Sequence, residues 1–201
     1  GTNLYTLGRG TDTLYQYPLS SAFDVSTAGT RSSYYLGGLD TGPSGIAFKS
    51  DGTKMYFVGY GSDNVVQFSL STAWDISTAS DSGVVSGQPG AGDQGNDLMG
   101  LSFSADGTKM YSSRPADFQV RQFPLSTAWD ITTVGAHSTW TVPGGVGTYD
   151  AEFSPDGTKV FVAKGTTKTR VRHDLSTVWD ITTAGAAHST LDTTPELTQT
   201  P

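Results

Sequence analysis

Cysteine is absent, and charged residues make up only 15% of the 201-residue chain. The first absence excludes disulfides and thiolate metal sites, and it fits the cytosol, a virion or a secreted protein equally well. Lys and Arg number 12 against 19 Asp and Glu, for a net charge of -7, and no stretch gathers the basic residues. The electrostatic footprint that attracts phosphate backbones is therefore missing, and nucleic acid is excluded as a partner. No apolar run approaches the ~20 residues of a membrane helix, so no membrane insertion is expected. Gly1-Thr2-Asn3 lacks the basic and apolar regions of a signal peptide, and the chain reads as soluble with no leader in place. What is abundant is Gly, with 25 residues, together with Ser, Thr and 11% aromatics, the composition of a turn-rich all-β protein.

Self-similarity organises the rest. Asp24, Asp75, Asp130 and Asp180 each follow an aromatic residue, at steps of 51, 55 and 50. Asp-Gly-Thr-Lys recurs at Asp51, Asp106 and Asp156 with steps of 55 and 50. Two markers sharing one irregular spacing define a repeat unit. The second unit reads as four strands, A to D, at 45–48, 54–58, 64–70 and 82–86. Asp51-Gly52 is the hairpin between A and B, because Asp accepts local backbone bonds and Gly tolerates positive φ.

Strand B is apolar on both faces, with Met55 and Phe57 on one and Tyr56 and Val58 on the other; Val160 to Ala163 repeat this. Such a sheet is covered on both sides. Strand A alternates Ile46 and Phe48 with the small Gly45 and Ala47, as an innermost strand needs where blades crowd an axis. The predicted fold class is all-β, a β-propeller of four roughly 50-residue, four-stranded blades within one domain spanning 1–201. The repeats run approximately over 1–42, 43–97, 98–147 and 148–201. The first blade begins at its B strand, 4–7, and lacks the innermost one, and residues 195–201 do not resemble it. Three outcomes stay open: an irregularly closed ring of four, a homo-oligomer completing a larger ring, or part of a longer propeller. In the C–D connection, Thr72 with Asp75 and Thr127 with Asp130 stand at capping-box spacing for one helical turn, and the Trp is expected to wedge against the adjacent blade.

The run Phe153-Ser154-Pro155-Asp156-Gly157-Thr158-Lys159-Val160-Phe161-Val162 resembles the Ser-Pro-Asp-Gly-Thr repeat of YVTN-type β-propellers. Leu-Ser-Thr-Ala-Trp-Asp-Ile, at 70–76 and 125–131, is similar to repeats in marine phage and metagenomic virion or tail-fibre proteins. That resemblance implies an extracellular or virion-associated location. Trp-Asp is also a WD40 marker, but the spacing differs and the Gly-His partner is absent. The sialidase Asp-box has a residue between Asp and Gly that Asp51-Gly52 lacks.

In such a fold the B–C and D–A connections share one rim, and these are the segments that differ between copies. That rim is the candidate ligand-binding face, with Arg9, Asp12, Tyr60, Asp63, Asp93, Asn96, Asp97, Arg114, Phe118 and Tyr149 as its candidate residues. Asp93, Asn96 and Asp97 offer oxygens to a sugar or to calcium, although ordinary loop chemistry explains them as well. No other cofactor or metal site is expected. Tyr60, Phe118 and Tyr149 are placed to stack on sugar rings, or to close blade edges.

In the fourth unit Asp150 and Glu152 replace small residues of strand A, on one side of that strand. They read as a paired acid and base or as solvated channel residues. His173 stands where other units carry Tyr17, Phe68 and Phe123, which suggests looser packing in a terminal blade. No nucleophile elbow, zinc spacing or phosphate loop is present. The expectation is a non-enzymatic binding or structural module engaging a protein or glycan surface; the alternatives are a carbohydrate-binding lectin and a propeller hydrolase or lyase using Asp150 and Glu152.

Overall fold

The structure, a computed structural model, describes residues 1–59, 61, 64–85, 98–145 and 147–193, without the side chains at 84 and 85. It is all-β: four antiparallel sheets form a four-bladed β-propeller arrangement, and the first blade has three strands. Blade 1 holds β1 (Asn3–Gly8), β2 (Thr13–Pro18) and β3 (Ser32–Tyr35), and blade 2 holds β4 (Pro43–Phe48), β5 (Lys54–Gly59), β6 (Val65–Leu70) and β7 (Ala79–Val85). Blade 3 holds β8 (Leu101–Phe103), β9 (Lys109–Arg114), β10 (Gln119–Pro124) and β11 (Ser138–Thr141). Blade 4 holds β12 (Thr148–Phe153), β13 (Lys159–Lys164), β14 (Thr169–Leu175) and β15 (Ala184–Asp192).

Each A–B hairpin turns at a glycine with positive φ, +73° at Gly52, +71° at Gly107 and +67° at Gly157. The Trp of the same blade's C–D connection lies directly over that glycine, where any Cβ would collide with the ring. The connection does contain one helical turn, 3-10 in type, but it starts after the Asp. Asp75 is its N-cap and accepts the Ser77 amide at 2.9 Å, and Asp24, Asp130 and Asp180 do the same in their units. The Asp is therefore the cap itself rather than the third residue of a capping box.

Blades lock to one another through the same two side chains at each of three steps, and through a third at two of them. A Tyr of strand B donates its hydroxyl to the carbonyl of the next blade's Trp: Tyr5 to Trp74 at 2.5 Å, Tyr56 to Trp129 at 2.7 Å and Tyr111 to Trp179 at 2.6 Å. A Gln of strand C accepts the amide that opens the next 3-10 turn: Gln16 from Ile76, Gln67 from Ile131 and Gln122 from Ile181, at 2.9 to 3.1 Å. Lys54 and Lys109 add ammonium bonds to the same Trp carbonyls at 2.9 and 2.8 Å. Burial raises the Tyr5 hydroxyl pKa to about 12 and pushes those of Tyr56 and Tyr111 higher still, so all three stay donors. The Trp meets the neighbouring blade through its carbonyl, and its ring covers its own hairpin and packs on Phe48, Phe103 or Phe153, with the Trp129 ring also 6.5 Å from that of Tyr56 in the preceding blade.

Tyr111→Phe removes one such bond from a buried setting and keeps the ring. It is expected to lower stability by about 1 kcal/mol, read as a lower urea midpoint at unchanged slope.

Three apolar clusters fill the spaces between sheets, with Met55, Tyr56, Phe57 and Val58 all fully buried, as two-faced coverage of strand B requires. In blade 4 that coverage is one-sided. Val160 and Val162 are buried, but Phe161, the counterpart of Tyr56 and Tyr111, is 42% exposed. Looser packing around His173 is also corrected: the ring is fully buried, its Nδ1 lies 2.9 Å from the Gly185 carbonyl oxygen, and it meets Trp140 edge-on at 4.8 Å. An imidazole fits the aromatic slot because one polar atom finds a backbone partner there. Burial lowers its pKa and favours the neutral form.

Candidate active site

The two groups of connections separate to opposite ends of the sheets. Hairpin glycines touch C–D tryptophans at one end, whereas at the other B–C and D–A loops touch: the Gly61 amide donates to the Thr41 carbonyl at 2.9 Å and the Asn64 amide to Asp40 at 2.9 Å. On this second rim Asp12 accepts the Gly42 amide at 2.7 Å, which commits its carboxylate to joining two loops. Arg9 is exposed in the first B–C turn. Arg114 is buried, its Nε 2.7 Å from Asp117, so it braces the third B–C loop from within. Phe118 holds a positive φ of 58° in that loop, and its carbonyl accepts the Val142 amide at 2.7 Å. Tyr60, Asp63, Asp93, Asn96 and Asp97 lie outside the described residues, as does the 195–201 segment; the calcium option rests on three of them.

Asp150, Glu152 and Tyr149 come together on β12. Glu152 pairs with Phe161 and Asp150 with Ala163, and the rows continue to Arg172 and Arg170 on β14. Both carboxylates consequently share one side of the sheet, two positions and roughly 6.6 Å apart along the strand. Blade 3 presses closely behind them. Its Gly100 amide donates to the Tyr149 carbonyl at 3.2 Å, the Ser113 hydroxyl to the same oxygen at 2.8 Å and the Ser102 hydroxyl to the Ala151 carbonyl at 2.9 Å. A Cβ at Gly100 would collide with the Asp150 carboxylate, which is why blade 3 has glycine where β12 has aspartate.

Two hollows open at the inner ends of the blades, one lined by both acids and the other by Glu152 alone. One, of about 250 Å³, is walled by Leu7, Ser44, Ile46, Leu101 and Tyr149 beside both acids. The other, of about 450 Å³, has Phe48, Phe103, Phe153, Trp129 and Trp179 around serines 50, 104 and 154. Glu152 borders both, with Ile46 and Leu101. Each hollow stays open to solvent, yet the surrounding protein removes much of the water around the acids. This loss of hydration, joined by the charge of Asp150, pushes Glu152 from the ordinary value near 4.5 up to about 7. Asp150 is raised too, chiefly by burial, against the pull of the Ala151 amide it accepts at 3.0 Å and of Arg170.

Among the described residues no three His, Asp or Glu side chains gather as a metal site, and no helix is long and apolar enough to cross a membrane. Arg170 as the charge that balances Asp150, and the walls donated by blades 1 and 2, go beyond what sequence reasoning marks. Only pairing register and blade curvature bring them to the acids.

No family model and no curated protein matches the chain. Solved structures do. A candidate 6-phosphogluconolactonase from Bacteroides fragilis superposes with a TM-score of 0.65 at 17% identity, over 96% of this chain and 52% of that one. The periplasmic gluconolactonase PpgL of Pseudomonas aeruginosa gives 0.63 at 20% identity, over 96% and 51%. A propeller-bearing nidogen/laminin complex gives 0.60 at 10% identity, over 87% and 57%. The chain therefore spans about half the length of the structures it matches, and at these identities the likeness speaks for the four-bladed fold alone.

These neighbours overturn the expectation of a non-enzymatic binding or structural module. Two of the three are named as lactonases, so the comparisons sit better with the hydrolase alternative than with that expectation. With no family match, the kinship to the Ser-Pro-Asp-Gly-Thr repeat type and to phage proteins is not carried further.

Proposed function

We propose that the chain carries the acid–base centre of a hydrolase that opens cyclic esters of sugar acids. The observation that supports this is Glu152, with a pKa near 7, beside a second carboxylate at the mouth of a hollow. A general base works best with a pKa close to the operating pH, and environments that push two carboxyls apart assign their roles. The larger hollow, of about 450 Å³, falls within the roughly 300–1,000 Å³ of small-molecule sites, and Glu152 joins it to the smaller one. Lactonase neighbours of the same shape are consistent with the reading.

In this scheme the Glu152 carboxylate takes a proton from water as the water oxygen bonds to the lactone carbonyl carbon. The tetrahedral oxyanion collapses and the ring C–O bond breaks. The protonated Glu152 then gives its proton to the departing alkoxide, and the new carboxylic acid releases the remaining water proton to solvent. Asp150, held charged by Arg170, keeps the Glu152 pKa high and orients the attacking water.

The test is base consumption at constant pH with an aldonolactone as the probe, since each ring opened releases one proton. Turnover well above the uncatalysed rate is expected from the whole chain. A rate equal to the blank across a panel of five- and six-membered sugar lactones removes the proposal.

A further inference from the structure

Strand B of blade 3 breaks the apolar pattern of its neighbours. Where β5 runs Lys54-Met55-Tyr56-Phe57-Val58 and β13 runs Lys159-Val160-Phe161-Val162-Ala163, β9 reads Lys109-Met110-Tyr111-Ser112-Ser113. Strand A of the same blade has Ser102 where blade 2 has Ala47. All three serines are buried. A hydroxyl taken out of water costs free energy unless it finds a partner, so each of these has to be held by a bond inside the protein.

Two of the three are spent on β12. Ser113 donates to the Tyr149 carbonyl at 2.8 Å and Ser102 to the Ala151 carbonyl at 2.9 Å. Those carbonyls belong to the residues on either side of Asp150, and Glu152 follows directly. At Tyr149 the pairing of β12 with β13 shifts register, between Thr148 and Asp150. Such an irregularity interrupts the ladder locally, and here the Ser113 hydroxyl and the Gly100 amide fasten the strand from the other blade. Ser112 alternates to the opposite face of β9 and donates within its own blade, to the Met99 carbonyl at 3.3 Å. Leu7 and Val58 occupy the place of Ser113 in blades 1 and 2, and the strands A that follow them carry Gly45 with Ala47 and Gly100 with Ser102. The hydroxyl therefore stands in the blade that precedes the carboxylates.

We propose that Ser102 and Ser113 are positioning residues for the carboxylate pair: by tying the backbone on both sides of Asp150 to blade 3, they fix where Asp150 and Glu152 stand against the hollows. Proton transfer tolerates little displacement, and a shift of about 1 Å can cost on the order of 10²-fold in rate. Sites of this kind are held by hydrogen bonds from residues that do not touch the substrate. The ionisation of Glu152 depends on the same placement, because it is set first by lost hydration and then by the charge of Asp150. A strand released from blade 3 would let water back to both acids. The effect on rate rests on the hydrolase reading, whereas the effect on Glu152 itself does not.

The test combines Ser102→Ala with Ser113→Val, which gives blade 3 the residues that blade 2 already carries at these places. The Glu152 titration midpoint, followed by carboxyl-detected NMR, is expected to fall by about one pH unit toward the ordinary value. Aldonolactone turnover should lose about tenfold in kcat with KM little changed. Ser102→Ala with Ser113→Thr, which has the shape of the valine variant but keeps the hydroxyl, should recover most of both losses. Ser112→Ala removes a buried hydroxyl from the same strand and should leave both readings at the parent values. Should the double variant fail to fold, Ser113→Val alone carries the comparison. An unchanged midpoint and kcat in the double variant, no recovery with threonine, or an equal shift in Ser112→Ala overturns the inference. A parent protein without turnover would remove the hydrolase reading instead, and the midpoints would still decide this one.

Discussion

Glu152→Gln is expected to slow lactone opening by about 10²- to 10⁴-fold, the usual worth of a positioned general base, while keeping the shape of the site. The parent protein's rate should rise with pH through about 7 as Glu152 loses its proton, and then level off. Asp150→Asn should move that inflection to lower pH, since the neighbouring charge contributes to raising it. Stability carries the opposite sign. Because Glu152 holds its proton to a higher pH in the folded chain than in the unfolded one, folding stability falls as pH rises from about 4.5 to about 7. Glu152→Gln should therefore be more resistant to urea than the parent at pH 8 and nearly equal to it at pH 4. The pH-dependent stability difference reports the raised pKa alone, whereas a merely structural glutamate would leave the rate profile unmoved.

Gly107→Ala is expected to be strongly destabilising. At φ +71° an L-residue is strained by roughly 1–2 kcal/mol, and its Cβ must occupy space filled by the Trp129 ring. Overpacking of that kind costs about 1–3 kcal/mol more. Trp129 cannot yield freely, because its carbonyl accepts from Tyr56 and Lys54 of the preceding blade. The strain therefore propagates across a blade boundary. Urea denaturation should show the midpoint fall sharply, and Gly10→Ala, at a turn where no atom lies within 4 Å of the new methyl, should leave it nearly unchanged.

Much of the scaffold is legible from the chain alone, for definite reasons. Asp-Gly at 51, 106 and 156 marks hairpins because that pair satisfies both the local bonds and the positive φ. Met55 to Val58 announce a sheet covered on both sides because each face of the strand is apolar. Asp150 and Glu152 stand out because they interrupt a small-residue pattern kept by the other units. The joints between blades are harder to see. Gln67 reads as an ordinary polar residue until the Ile131 amide is placed beside it, and Arg114 reads as a loop cation until it proves buried against Asp117.

The raised pKa of Glu152 bears most of the functional argument, and carboxyl-detected NMR of glutamate-labelled protein measures it directly. Titrating the Glu152 signal, assigned by its loss in Glu152→Gln, should give a midpoint about two to three pH units above the ordinary glutamate value. A midpoint near that ordinary value would show that the site does not prepare this carboxyl for proton transfer at neutral pH, and would contradict the account.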